Sequence, residues 1–590
     1  MDRTNSIFEA TWSGVWGGRK AVAVVLLACC VLLLKANVFA GNGKLSKELQ
    51  SPNLGSQPID VIVQYNTAPT STHFSRAQAH GAKVKKQFTL SNHVVYSLTA
   101  DQVGKLADED SDIAYVSPDR PVKATATYSA QFDAVNADVA QSYGYSGTGI
   151  GVAVIDSGIG SHSDLSGRVA YSEDFTASGT TDDQFGHGTH VAGIIGGNGY
   201  RSGSGCSNCT MTYMGIAPNV KLINLKVLDN NGAGTDSNVI AAIQKAIALK
   251  STYNIRIINL SLGRGIFESY TIDPLDQAVE QAWKAGIFVV VAAGNYGRDD
   301  SNARDGYGTI TAPGNDPYAI TVGCLRTFGT YTRTDDVPTS YSSKGPTFID
   351  HVVKPDIVAA GNKIVSLLAP NANLDDNYPS TLVSLTEYQS TTSTASSPYY
   401  FRLSGTSMAA PQVSGAAALM LQKTPGLTPD QLKARLMKSA FKNLVVYSTS
   451  TDAATGISYS EQADIFSVGA GYLDIAAALN NTDAASSSVG VAKSPTATYS
   501  NGQVVLVNGT SVLWGSSVLW GTSVVWGTSV LWGTNSSGQS VLWGSSVIWG
   551  TTGTSAFSVL WGTSTSATSV IWGTSTSATS AMSVLTDGDE

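Results

Sequence analysis

Apolar residues gather in short continuous runs through the middle of this chain, and segments with helical spacing separate the runs. The strand-like runs cover 150–156, 220–228, 255–262 and 287–294. Helical spacing occurs at 190–196, at 238–250, in LDQAVEQAWKAG and at Pro429–Ser439. Strands that are apolar along their whole length and alternate with helices are typical of a parallel sheet covered on both faces. The pattern therefore predicts one α/β unit over 128–480.

A smaller unit with a different pattern precedes it, at 57–124. Strand-like stretches at 59–65, 93–99 and 113–119 accompany a short helical stretch at 101–110. This predicts a compact α+β unit, which is small for an independent domain. From 121 to 130 the sequence PVKATATYSA is small and polar, as in an exposed linker.

The sequence after the α/β unit has low complexity. Ser, Ala and Thr dominate 481–509, which favours a linker, so few contacts are expected across that boundary and a chain stopped near Thr482 is expected to fold. From 510 to 590 the motif S-V-(L/I/V)-W-G recurs, with tryptophan at 514, 520, 526, 532, 543, 549, 561 and 572. Alternation in SVLWGT suits stacked short strands, so the tail is predicted to be β-structured or disordered. The tryptophans could stack on sugars, but regularly spaced tryptophans more often pack on their own neighbours.

The N-terminal region contains an apolar run at 21–34, preceded by Arg19 and Lys20. The run is short for a membrane span, which needs about 20 residues. Val38-Phe39-Ala40 ends in the small residue that a signal-peptide cleavage site needs. We interpret 1–40 as a secretory signal peptide cut after Ala40. A retained membrane anchor and a weak lipoprotein-like box are the alternatives.

Charge and cysteine content reduce the number of function classes that fit this chain. Charged residues make up 14% of the chain and the net charge is −8, with no basic stripe, so a nucleic-acid partner is not expected. Cys206 and Cys209 lie in a Gly/Ser-rich loop, which favours a short-loop disulfide in an oxidising compartment over a redox or zinc site. Cys324 follows a strand-like run and is interpreted as a buried apolar group.

Candidate chemistry centres on Ser407, which begins an almost wholly apolar and small-residue run at 404–421. Pro411 is tolerated only near a helix start, so the helix is predicted to begin at about Thr406 or Ser407. A hydroxyl at a helix N-terminus suits a nucleophile if a base can reach it, although an ordinary helix cap is the alternative. Asp156 ends a buried strand, and His187 stands between glycines at the head of a helix.

Several sequence motifs around these residues resemble those of subtilisin-family serine peptidases (subtilases). The motifs are VIDSGI (154–159), HGTHVAG (187–193), NLSLG (259–263), VVAAGN (290–295), SSKGP (342–346) and GTSMAAP (405–411). Their order, Asp then His then Ser, is the subtilisin order. The resemblance implies that Ser407 is the nucleophile, His187 the general base and acid, and Asp156 the group that orients the imidazole. It also implies that Asn295 donates to an oxyanion; a loop asparagine without a role is the alternative. His190 is interpreted as structural.

The resemblance carries further expectations for fold and ligands. It implies a subtilisin-like parallel sheet with helices on both faces, and makes 57–124 a ferredoxin-like inhibitory propeptide whose tail lies in the cleft and is cut between 121 and 130. The expected substrate-binding residues are Ser261, Leu262, Gly263, Ala293, Gly294, Gly232 and Gly234. No nucleotide loop, metal cluster or cofactor motif occurs, so no cofactor is expected and no metal ligand is assigned. Structural calcium is common in the family, but no run here identifies a calcium loop.

The sequence thus predicts a secreted or cell-surface serine endopeptidase, made as a self-cleaving zymogen, that acts on protein or peptide substrates. Its own propeptide is an expected partner, and the tail is a candidate for surface attachment or self-association. A sedolisin-like peptidase is disfavoured because that family has Glu in place of His187. The alternative from another class is a surface adhesin or structural protein whose protease domain only processes itself.

Overall fold

The structure is a computed structural model that describes residues 43–50, 58–124, 143–299, 304–330, 332–482, 486–500, 503–507 and 586–590, with Val135, Ala137 and Val584. The helices are α1 (Ser71–Ala79), α2 (Ala100–Glu109), α3 (His187–Gly196), α4 (Asp236–Tyr253), α5 (Pro274–Lys284), α6 (Asn373–Asn377), α7 (Thr406–Lys423), α8 (Pro429–Ser439) and α9 (Ile475–Asn480).

The first five strands belong to the N-terminal unit and its tail: β1 (Pro58–Tyr65), β2 (Lys83–Gln87), β3 (His93–Thr99), β4 (Ile113–Pro118) and β5 (Pro121–Ala124). The first four form an antiparallel sheet in the order β2-β3-β1-β4, with α1 and α2 as the two connecting helices. This is the β-α-β-β-α-β arrangement called ferredoxin-like. Its apolar face is buried in a core of its own that includes Val61, Val63, Val94 and Leu106.

The remaining strands belong to the larger unit and the segment that follows it. They are β6 (Gly151–Asp156), β7 (Val169–Asp174), β8 (Lys221–Lys226), β9 (Ala233–Thr235), β10 (Ile255–Leu260), β11 (Leu262–Gly263), β12 (Phe288–Ala292), β13 (Arg298–Asp299), β14 (Arg304–Asp305), β15 (Ile320–Arg326), β16 (Val337–Pro338), β17 (Ile357–Ala360), β18 (Ile364–Leu367), β19 (Leu382–Ser384), β20 (Ser396–Leu403), β21 (Tyr447–Thr451), β22 (Ser458–Gln462), β23 (Thr496–Ser500) and β24 (Gln503–Val507).

Eight of these strands form the central sheet, in the order β16-β15-β12-β10-β6-β8-β7 with β17 paired to β15. All neighbours are parallel except β15 and β16. Every residue of β6 and β12 is buried, as their continuous apolar sequences require. The expected parallel α/β sheet is confirmed, and because parallel strands share a direction, the loops after β6, β10 and β12 meet at one edge.

Helix α7 runs through the middle of this unit. Its residues from Thr406 to Leu421 are all buried, and it packs against α3 and against strands β10, β12, β15 and β17. About half of its residues are small, and a Cβ on Gly415 would lie 2.5 Å from Ile216 Cβ, so the helix packs closely against the segment of Ile216. The apolar run that begins after Ser407 thus forms the buried helix that the sequence predicts.

The segment 486–500 differs from the linker that its composition suggests, because it packs against the α/β unit. Ser494 Oγ donates to Asp356 Oδ1 at 2.5 Å, in a buried cluster with Lys354 and Lys433. Ala492 N donates to Asp430 Oδ1 at 2.8 Å, and Val353 N donates to Pro495 O at 2.8 Å. The expectation that few contacts cross Thr482 therefore does not hold. The predicted signal sequence at 1–40, the tryptophan repeats and residues 125–130 lie outside the described residues.

Candidate active site

Asp156 and His187 form a buried pair at the carboxyl edge of the central sheet. Asp156 is the last residue of β6, and His187 is the first residue of α3. The Nδ1 atom of His187 lies 2.6 Å from Oδ1 of Asp156. Because the carboxylate can only accept, Nδ1 carries the proton of this bond, and Nε2 is left as the ring atom that can accept another. His187 Nε2 is buried and has no hydrogen-bond partner among the described residues.

A second buried carboxylate, Asp183, holds the turn that carries His187. Asp183 accepts hydrogen bonds from Gly186 N at 2.7 Å, from Thr189 N at 2.7 Å and from Ser157 Oγ at 2.8 Å. Ser157 Oγ in turn accepts from Gly188 N at 2.9 Å, which connects the turn back to Asp156. Burial raises the pKa of Asp183. Sequence reasoning missed this residue; the signal was an acidic residue just before the glycines at the helix start.

Ser407 occupies the first turn of α7, whose N-cap is Gly405. Its Oγ donates to Ser261 O at 3.2 Å, so the hydroxyl is not directed at His187 Nε2. Pro411 has no N–H, and the carbonyl of Ser407 therefore lacks its helical partner. Ser261 Oγ replaces that partner at 2.9 Å, and Asn259 Nδ2 donates to Ser261 Oγ at 2.9 Å. These contacts fix the start of α7 against the end of β10.

Asn295 follows β12 and faces the same helix start. Its Oδ1 accepts from Thr406 N and from Thr406 Oγ1, both at 3.0 Å. A backbone N–H can only donate, so this contact fixes the orientation of the amide and turns Nδ2 away. Asn295 Nδ2 is buried without a hydrogen-bond partner among the described residues, which leaves a donor beside Ser407. Gly294 has φ of +102°, and a Cβ there would lie 2.7 Å from Thr311 Cγ2.

The predicted substrate-binding residues lie on both sides of one extended segment. Leu262 and Gly263 form β11, which pairs antiparallel with Ala124 and Lys123 of β5. On the other side β9 pairs antiparallel with β5, and Gly234 lies opposite Val122. Gly232 lies in the turn before β9, where its N–H donates to Asp229 O at 3.1 Å. Ala293 and Gly294 continue from β12 toward Asn295. The chain from 121 to 124 is thus the middle strand of a three-stranded sheet.

Charged side chains anchor this segment just before it enters the sheet. Arg120 donates to both oxygens of Glu268, at 2.7 Å for the Nη1 bond, and its carbonyl accepts from Asp236 N at 2.7 Å. Asp119 accepts from Ser237 N at 2.6 Å at the start of α4. Burial raises the pKa of Asp119 to about 6 and that of Glu268 to about 7. Sequence reasoning did not single out this cluster, because its members come from three distant segments.

His190 and the cysteines singled out in the sequence make structural contacts. His190 contacts Ile364 O through Nε2 at 2.9 Å, and burial lowers its pKa to about 3, so it is neutral near pH 7. Cys206 and Cys209 form a disulfide, and the loop that holds them pairs with the insert at 367–402 through Thr210 N and Tyr388 O at 2.8 Å. Cys324 is a buried free thiol.

Metal and membrane features were sought in the described residues. Within them, no group of three or more His, Cys, Asp or Glu side chains is arranged to hold a metal ion. Among the same residues, no helix is long and apolar enough to cross a membrane.

Comparisons with known proteins show the family to which this chain is similar. The model of the family described as "Subtilase family" matches residues 147–471. Serine protease AprX of Bacillus subtilis is 35% identical over 409 residues, which cover 68% of this chain and 86% of that protein. The extracellular serine proteinase of Thermus sp. strain Rt41A is 34% identical over 375 residues, which cover 62% of this chain and 75% of that protein.

A solved structure shows the same fold. Fervidolysin from Fervidobacterium pennivorans, described as a keratinolytic enzyme related to subtilisin, superposes with a TM-score of 0.52 at 22% identity. The match covers 74% of this chain and 62% of that one.

Proposed function

Given that the chain belongs to the subtilase family and is a subtilisin-like serine endopeptidase, we propose that Ser407 is its nucleophile, His187 its general base and acid, and Asp156 the residue that orients His187. The observation that carries this proposal is the 2.6 Å contact of His187 Nδ1 with Asp156 at the edge of the sheet where helix α7 presents Ser407. That contact leaves Nε2 of a buried imidazole as the acceptor for a hydroxyl proton.

The reaction follows from these atoms. Ser407 Oγ attacks the carbonyl carbon of the peptide bond while His187 Nε2 takes the hydroxyl proton. The tetrahedral oxyanion is stabilised by Asn295 Nδ2 and by the Ser407 N–H at the start of α7. His187 then gives the proton to the leaving amine, the C–N bond breaks and an acyl-enzyme remains. Water, deprotonated by His187, attacks the ester and releases the acid, and the proton returns to Ser407.

The position of the Ser407 hydroxyl adds a step before attack. In the structure it donates to Ser261 O. Ser261 directly precedes β11, the strand that pairs with β5. A substrate peptide that binds in the place of β5 and continues one residue further can therefore donate an N–H to the carbonyl of Ser261. When the peptide takes Ser261 O, rotation about the Ser407 Cα–Cβ bond brings the hydroxyl to His187 Nε2. Hydrogen bonds in such sites are commonly loose until substrate binds.

The unit at 57–124 acts as an inhibitory propeptide. Its tail adds a strand between β9 and β11, the place where backbone hydrogen bonds can hold a peptide substrate, so it excludes other substrates. Cleavage by Ser407 between 121 and 130 releases it; part of that range lies outside the described residues. The antiparallel register puts Ala124 opposite Leu262, the residue that directly follows Ser261, which favours the bond after Thr125 as the one cut.

The proposal also covers secretion of the protein and the role of the tryptophan-repeat tail. The relative from Thermus is named as extracellular, and 1–40 has the composition of a signal peptide. We assign the tryptophan repeats a role in surface attachment or self-association, and no role in catalysis.

Mass spectrometry of the secreted chain and of a Ser407→Ala form tests the proposal. The wild type should lack 57–124 and carry a new N-terminus between 121 and 130, while the variant keeps the segment. Wild-type enzyme should also cleave added casein, which separates an endopeptidase from a module that only processes itself. Autonomous processing of purified Ser407→Ala, or intact casein, would contradict it.

A further inference from the structure

Residues 586–590, with Val584, pack into the α/β unit far from their place in the sequence. Glu590 N donates to Thr451 O at 2.7 Å, Thr451 N donates to Glu590 O at 3.2 Å, and Ala453 N donates to Gly588 O at 3.0 Å. The segment thereby pairs antiparallel with the end of β21. Val584 is buried against Cys324 and Tyr341. We call residues 586–590 the clasp.

The side chain of Asp589 carries the most specific contacts of the clasp. It is fully buried, and its carboxylate accepts from Ser340 N at 2.6 Å and Ser340 Oγ at 2.8 Å. Arg298 lies 3.2 Å from the same carboxylate and also pairs with Asp452 at 3.0 Å. A buried carboxylate is costly unless donors surround it. These donors come from residues that are themselves buried, so this is a formed site for an acidic side chain.

The backbone of the clasp is also held by specific hydrogen bonds. Asn362 Nδ2 donates to Asp589 O at 3.0 Å, and Asn362 Oδ1 accepts from Asp589 N at 3.1 Å. Gly588 has φ of +63°, and a Cβ there would lie 2.6 Å from Ser404 Oγ. Glycine is therefore required at this position, both for its backbone conformation and for space. Arg298, Ser340, Asn362 and Ser404 line what we call the socket, which fits glycine followed by aspartate.

The socket adjoins the loops of the active site. Ser404 Oγ donates to Asn362 Oδ1 at 3.1 Å, and the next residue, Gly405, donates its N–H to Gly361 O at 2.8 Å before α7 begins. On the other side, Arg298 follows the loop of Asn295. Ser343 Oγ, on the loop of Ser340, accepts from Tyr296 N at 3.0 Å. The loops that carry the proposed nucleophile and the proposed oxyanion donor thus both contact the socket or its immediate neighbours.

We infer that the clasp is an intramolecular ligand of the socket, and that its binding holds the loops of Ser407 and Asn295 in the geometry that catalysis needs. The inference rests on the roles proposed above for those two residues. Asp589 is a positioning residue, because it acts through Ser340, Arg298 and Asn362. It follows that the repeats are joined on both sides to segments packed against the α/β unit, the segment of β23 before them and the clasp after them. A second copy of the chain is the other source of a clasp.

A matched pair of variants in the full chain tests this inference. Asp589→Asn should lower kcat about tenfold on a chromogenic peptide amide, with KM within twofold, because misplacement of reacting groups affects turnover first. Amide hydrogen exchange should become faster at 361–363 and 404–407. Asp587→Asn, whose carboxylate accepts from its neighbour Thr586 at 2.9 Å, carries the same charge change and should alter neither. Unchanged kcat and exchange in Asp589→Asn would overturn the inference, and activity in Ser407→Ala would instead overturn the proposed function.

A second measurement covers the case in which Asp589→Asn fails to fold. A recognition site for another sequence-specific protease is inserted near 577 and cut after the chain has folded and matured. The clasp should stay bound through gel filtration, and its removal by repeated dilution should lower kcat about tenfold. Added peptide VLTDGDE should restore kcat, while the peptide with Asn at the position of Asp589 should not. Immediate loss of the clasp with full kcat would refute the inference. A wild-type dimer whose dissociation lowers kcat would assign the clasp to a second copy and refute the intramolecular reading.

Discussion

Two segments of this chain lie against the same α/β unit as added strands, and the unit holds them in opposite ways. The segment at 121–124 pairs through its backbone with β9 on one side and β11 on the other. The clasp has only a short stretch of backbone pairing, but its Asp589 and Gly588 fill a socket of buried side chains. Backbone pairing tolerates many sequences, whereas the socket requires particular residues.

This difference corresponds to the two uses proposed for the segments. A cleft that must accept varied peptides and then release them is best made of strand edges, because main-chain hydrogen bonds give affinity without choosing side chains. A permanent attachment is best made of a buried charge with matched donors, because a wrong residue leaves those donors unpaired. The segment proposed to be the tail of a propeptide also has side-chain anchors, Asp119 and Arg120, just before its strand.

The largest effect is expected from removal of the proposed nucleophile. Ser407→Ala should leave 121–124 in the cleft, because its peptide bond cannot be cut, while the clasp is undisturbed. Peptide turnover should fall by roughly 10⁶, a scale known for the triad serine of subtilisin. His187→Ala should behave alike, and the double variant should be little worse because the residues act as a unit. Intact-mass measurement and peptide kinetics check this, and additive losses in the double variant would contradict a shared mechanism.

Asn295→Ala should separate the catalytic site from the clasp, since Asn295 contacts Thr406 beside Ser407, whereas Arg298, which follows the loop of Asn295, contacts Asp589. Turnover should fall roughly 10²–10³-fold with KM little changed, because the amide stabilises only the charged intermediate. Hydrogen exchange in the clasp should stay as in the wild type. If KM rose instead and kcat held, Asn295 would be a substrate-binding residue.

The sequence predicted the parts of the fold that repeat a simple pattern. The continuous apolar runs gave β6, β8, β10 and β12 within a residue or two, and Pro429–Ser439 is found as predicted. The start of α7 at Thr406 was predicted from Pro411, since proline limits how far the helix can extend before it. The catalytic candidates were predicted from motifs, because short residue patterns at strand ends and helix starts depend on local geometry.

Other elements were missed because their sequences carry no periodic signal. Helix α1 reads STHFSRAQA and buries only His73 and Ala77, and strand β2 reads KVKKQ with its side chains largely exposed. The packing of 486–500 and of the clasp depends on single polar residues, Ser494 and Asp589, that enter buried clusters of distant side chains. Composition alone made both segments look like linker or tail. Long-range polar contacts of this kind cannot be predicted from one sequence.

The release of the proposed propeptide after cleavage should depend on pH through Asp119. Burial raises its pKa from 3.8 to about 6 in the docked state, so docking takes up a proton between these values. Docking is therefore strongest below about pH 4 and weakens as pH rises through 6, and release should speed up roughly tenfold between pH 4.5 and 6.5.

Samples held at several pH values and then assayed at one common pH measure this release. Asp119→Asn should flatten the part of the profile below pH 6, because its amide does not titrate. A wild-type release rate that falls as pH rises would contradict the assignment. The clasp, attached through a different carboxylate, provides the comparison: its exchange protection in Asp119→Asn should match the wild type.

The smallest effect concerns Ser261, where the strand edge of the cleft meets the helix of the nucleophile. Its hydroxyl donates to the Ser407 carbonyl, which Pro411 leaves without a helical partner. Ser261→Ala should leave that buried carbonyl unpaired and cost about 1–2 kcal/mol of unfolding free energy, with kcat lower by a few-fold. Ser414→Ala is the matched control, because Ser414 Oγ donates to Asn259 Oδ1 at 2.8 Å and reaches Ser261 only through Asn259. Ser414→Ala should lower the unfolding free energy by about 1 kcal/mol or less and leave kcat unchanged. Thermal unfolding and peptide kinetics of both variants measure this difference. If Ser414→Ala lowered kcat as much as Ser261→Ala, the bond between Ser261 and the nucleophile helix would have no special part, and the cleft edge would position Ser407 only by packing.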